Sequence, residues 1–61
     1  MSTLEEVRSA EKAMRDAEKT LRAYRARPAS EQDGTVLHQL AADMKGTTQD
    51  YVSLVLMINE E

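Results

Sequence analysis

The 61 residues include no cysteine and one histidine and carry a net charge of −3. This excludes disulfide staples and thiolate zinc sites, and a single imidazole argues against a transition-metal cage. Chains this short bury only ~60% of the surface they expose when unfolded, so association is the remaining route to a stable core.

The first segment, from about residue 3 to residue 27, is rich in Ala, Glu, Lys, Arg, Leu and Met, with no Gly or Pro to interrupt it. These are the strongest helix formers, and the composition predicts one helix. Ser2 with Glu5, and Thr3 with Glu6, each match a capping box that satisfies free backbone donors at a helix start. Val7, Ala10, Met14, Ala17, Leu21 and Tyr24 recur in steps of three and four, the spacing of one apolar seam. Pro28 disfavours the helical conformation at Arg27, so the helix should stop there.

Residues 28–34, "PASEQDG", read as the connection, with Ser30 or Asp33 available to cap the next helix. From about residue 35 to residue 59, Leu37, Leu40, Met44, Tyr51, Leu54 and Ile58 keep the same alternating step, with Thr47 in the one missing place. Gly46 interrupts this reading. Glycine is costly inside a helix and favoured just past its end, so "KGTTQD" admits a stop and restart that would give three helices. The heptad phase passes through Gly46 unshifted, which favours one continuous helix. The β-branched and aromatic content of residues 51–58 also admits a strand.

Two helices of matched length joined by a short turn imply an all-α antiparallel hairpin, one domain over residues 1–61. A turn centred near Glu31 makes facing residue numbers add to about 62, with Ala17 opposite Lys45 and Gly46, and Tyr24 opposite His38. Ala10, Ala13 and Ala17 against Gly46 and Thr47 would then let the backbones approach closely. In outline the hairpin is similar to small two-helix families that act as dimeric regulators or accessory subunits.

One hairpin does not use up the apolar residues. The first helix offers five large ones, and the second offers eleven. Tyr51, Val52, Leu54, Val55, Leu56, Met57 and Ile58 spread around most of the circumference at 100° per residue. A single partner helix covers one side, which makes these seven residues the expected interface for self-association, as a four-helix homodimeric bundle, or for a protein partner.

Charge divides the chain. Residues 1–27 hold seven Lys or Arg against five Asp or Glu, and residues 28–61 hold one against six. Arg8, Lys12, Arg15, Lys19 and Arg22 form a basic stripe opposite the first seam, a candidate site for an anionic ligand such as a nucleic acid or nucleotide. The stripe lacks interleaved aromatics for base stacking, and Glu11 and Glu18 sit four residues before Arg15 and Arg22, where they pair locally. His38 stands without a spaced nucleophile or carboxylate, the carboxylates show no Glu-x-x-His pattern, and no phosphate loop is present.

The acidic N-terminal stretch lacks the basic and then apolar order of an export signal, and residues 51–58 fall short of the ~20 a membrane span needs. The expectation is a cytoplasmic, cofactor-free, non-enzymatic interaction module that acts as a regulator, inhibitor or assembly subunit. The alternative is an oligomer that binds an anionic ligand through the basic stripe.

Overall fold

The computed structural model describes residues 3–59, with the side chain of Asn59 left aside. Two helices, α1 (Leu4–Arg25) and α2 (Gly34–Asn59), pack against one another, and a single 3-10 turn (Ala29–Glu31) lies between them. Among the described residues there is no strand, so the strand alternative for residues 51–58 is set aside.

Each helix end is built from local polar chemistry. Thr3 is the N-cap of α1, and its Oγ1 accepts a 3.2 Å hydrogen bond from the Glu6 amide, satisfying one of the free donors of the first turn. Ser2, the other capping candidate, lies outside the described residues. The helix ends at Arg25, two residues earlier than the proline rule placed it. There the Arg27 amide turns to the Tyr24 carbonyl at 3.2 Å, a tighter bond than the helical one, and Gln32 Nε2 donates to the carbonyls of both Arg25 and Arg27, at 3.2 and 2.7 Å. These acceptors lie at and just beyond the end of α1, where carbonyls lose their helical partners. The last turn is also basic, with Arg22 and Arg25, which favours the negative end of the helix dipole.

Asp33, and not Ser30, caps α2. Its carboxylate accepts from the Thr35 amide at 2.7 Å, and its carbonyl receives the Leu37 amide at 2.9 Å. Tyr24 fastens the same point to α1: its hydroxyl accepts from the Asp33 amide and lies 3.4 Å from the Asp33 carbonyl. Arg27 stacks over the Tyr24 ring at 5.4 Å from its centroid. The Tyr24 hydroxyl thus forms a latch across the turn, because Asp33 brings backbone donor and acceptor within its reach.

Helix α2 runs unbroken through Gly46, so the three-helix reading fails. Glycine forfeits ~1 kcal/mol there, but the seam residues on both sides hold the helix in phase. Gly46 is exposed, and a Cβ built on it meets nothing within 4 Å. The expected close backbone approach at Gly46 is thus not made within the hairpin. Thr47 turns its hydroxyl back to the carbonyls of Asp43 and Met44, both at 3.0 Å, which satisfies it inside its own helix.

The half-buried positions are the two seams. On α1 they are Val7, Ala10, Met14, Ala17, Leu21 and Tyr24, joined by Glu11 and Glu18; on α2 they are Leu37, Leu40, Met44, Thr47, Tyr51, Leu54 and Ile58, joined by Thr48 and Val55. Register follows the expected sum, since the Tyr51 hydroxyl donates to Glu11 at 3.3 Å. None of the described residues is buried. The molecule measures 49 × 15 × 11 Å, and its 14.2 Å radius of gyration exceeds the ~10 Å of a globular chain this long. It is a rod without an interior.

Two substitutions test this account. Asp33→Ala removes the cap of α2 and should lower stability by about 1 kcal/mol in thermal unfolding followed by circular dichroism. Gly46→Ala should raise it by about 1 kcal/mol in dilute solution, because the added methyl meets no neighbour within its own hairpin.

Candidate interaction surface

The seven residues singled out in the C-terminal stretch divide between two sides of α2. Tyr51, Leu54, Val55 and Ile58 face α1 and are half-buried. Val52, Leu56 and Met57 point away, with 47%, 57% and 49% of their surface exposed. Val36 near the start of α2 and Leu4 at the start of α1 are also exposed. A pair of helices meets along one line, so residues well off the seam keep much of their surface open to solvent.

The two helices treat solvent differently. Of the fourteen exposed residues of α1, nine are charged. Of the sixteen exposed residues of α2 between Gly34 and Ile58, only Asp43, Lys45 and Asp50 are charged, and four are large apolar residues. Charged residues are the usual covering of a solvated helix face, and an interface core is depleted of them. The outer side of α2 has the composition of a contact surface, whereas the outer side of α1 has that of a solvated face.

Arg8, Lys12, Arg15, Lys19 and Arg22 are all exposed on α1. Arg15 pairs with Glu11 at 3.5 Å and Arg22 with Glu18 at 2.7 Å, as the four-residue spacing implied. Glu11 accepts from Arg15 and from Tyr51 together, which ties the stripe's edge to α2. Arg8, Lys12 and Lys19 have no ion-pair partner among the described residues. His38 is exposed on α2, and among the described residues no group of three or more His, Asp or Glu is placed to hold a metal.

Shallow grooves lie along the helix pair. One, of about 390 Å³, is lined by Ala10, Ala13, Thr47, Asp50, Ser53 and Leu54; another, of about 710 Å³, runs beside Ala23, Tyr24, Arg27, Val36 and Leu40 near the turn. Both open to solvent, and small side chains, Ala10, Ala13 and Ser53, stand at the edge of the first.

The seams were visible in the spacing. The Tyr24, Gln32 and Asp33 latch was not, because its bonds run to backbone atoms that only the folded turn brings close. The scarcity of charge on the outer side of α2 was present in the sequence as a count, but became a surface property once the seam fixed which side faces out.

No protein-family model, no curated protein and no solved structure gives a significant match to the chain. Among the described residues, no helix is long and apolar enough to cross a membrane.

The Tyr51 bond makes a separate prediction. Tyr51→Phe keeps the ring in the seam and removes the hydroxyl that reaches Glu11, and should cost about 1 kcal/mol in denaturant unfolding with little change in helicity.

Proposed function

We propose that the chain is a non-enzymatic protein-protein interaction module, a helical hairpin that self-associates into a helical bundle and works in the cytoplasm as a regulator, inhibitor or assembly subunit. The observation that carries this reading is the outer side of α2, where Val52, Leu56 and Met57 stand exposed in a face with three charges. Large apolar side chains gain ~1.5 to 3 kcal/mol each on full burial, and Val52, Leu56 and Met57, with 47%, 57% and 49% of their surface exposed, have about half of that gain still available. Docking through α2 supplies the second wall that α1 cannot, and oligomerisation is the usual remedy for a chain with so small a core.

A second reading uses the basic stripe for an anionic ligand. Its support is the three cations Arg8, Lys12 and Lys19, which lack ion-pair partners among the described residues. It is weaker, because Arg15 and Arg22 are already engaged by carboxylates. Salt separates the two: phosphate binding loses affinity steeply as ionic strength rises, whereas apolar association does not.

The test is solution mass by light scattering over a dilution series, with helicity recorded on the same samples. The chain should be larger than a monomer at micromolar concentration and lose helicity as it dissociates. Leu56→Glu should shift the transition to higher concentration by roughly tenfold or more, as expected when a charge enters an apolar contact. A monomer of full helicity across the series would refute the self-association reading.

A further inference from the structure

Building on that self-association reading, we infer that the partner surface is a second copy of this chain, docked α2 against α2 in a parallel arrangement. The outer stripe of α2 consists of Thr35, Gln39, Ala42, Gly46, Gln49, Ser53 and Leu56, all exposed, spaced alternately by four and three. It lies diametrically opposite the seam that meets α1, so both can be occupied at once. At 3.6 residues per turn such spacing makes a second, continuous contact line. The stripe is not apolar enough to argue for an occupant by itself. Its flanks do so.

On one flank stand His38, Lys45 and Val52, seven residues apart; on the other stand Asp43, Asp50 and Met57, also seven apart. In a parallel pair of helices, the residue on one flank meets the residue five positions later on the opposite flank of the other chain. That rule places Lys45 beside Asp50 of the second copy, His38 beside Asp43 of the second copy, and Val52 beside Met57 of the second copy. Two-fold symmetry makes each pairing twice. All three charges on the exposed side of α2 are thereby accounted for, as are Val52, Leu56 and Met57, three of its four exposed large apolar residues.

An antiparallel pairing does the reverse, because it sets each flank against its own kind. With the two copies of α2 fully overlapped, Asp43 falls opposite Asp50 of the second copy, and Lys45 lies close to Lys45 of the second copy. Like charges side by side oppose association, so the charge pattern selects the parallel form. Gly46 and Ala42 in the stripe keep its middle narrow, and the space found open around Gly46 is the room the second backbone would take.

The absence of cysteine in the chain gives a clean test. Gln39→Cys and Ser53→Cys are prepared as separate single variants, both at exposed stripe positions about 21 Å apart along the helix. In the parallel pair each meets its own copy, so under mild oxidation each variant alone should form a disulfide-linked dimer. If neither links alone but a mixture of the two does, the pair is antiparallel and this inference is overturned. If light scattering shows a dimer of the unaltered chain and neither the single variants nor the mixture links, a different face is used, and again this inference fails while self-association stands. A monomer at every concentration defeats self-association itself. In parallel, Lys45→Glu should weaken the dimer by roughly tenfold at low salt, and adding Asp50→Lys to it should restore the affinity. An unchanged affinity in Lys45→Glu would also overturn the inference.

Discussion

Two helices touch along a line, and a line of contact cannot enclose a side chain. Every seam residue of this hairpin is covered from one direction and open from another, which is why even Met14, Leu21 and Leu40 are only half-buried. The same constraint sets the shape of the molecule, a rod 49 Å long and 11 to 15 Å across. It also sets how much apolar surface one helix can shield for the other, and α2 carries more than α1 can cover.

Under that limit the chain holds itself together at its ends and edges. Gln32 closes the carbonyl end of α1, Asp33 opens α2, and Tyr24 joins the two across the turn. Midway along the rod, Tyr51 reaches Glu11, which is also held by Arg15. These bonds are individually modest, since each exchanges a bond to water for one within the protein. Their value lies in fixing register: with Tyr51 tied to Glu11, neither helix can slide by a turn without losing a polar partner.

The division of charge gives the two helices different tasks. α1 shows solvent a surface rich in paired and unpaired charges, and its apolar residues are confined to one stripe. α2 has apolar residues on both sides and few charges anywhere. A helix built in this way is stable when it lies between two others, and the proposed assembly through its outer side gives it that position. The proposed function rests on the same asymmetry: the outer side of α2 is poor in charge and leaves Val52, Leu56 and Met57 exposed.

The periodicity determined the helix pair and the identity of both seams, because a step of three and four residues leaves only one side of a helix for apolar contact, and the position of the turn set the register. It also determined that α2 has apolar residues to spare. The fold alone decided that Gly46 is spanned within one helix and left open, that Asp33 and not Ser30 starts α2, and that the Tyr24 hydroxyl binds the turn. Those outcomes depend on backbone groups brought together from either side of the turn, and on which of two weak local preferences the packing of the seam overrides. A sequence shows the residue types but not the distances between them, and hydrogen bonds to backbone atoms are decided by distance.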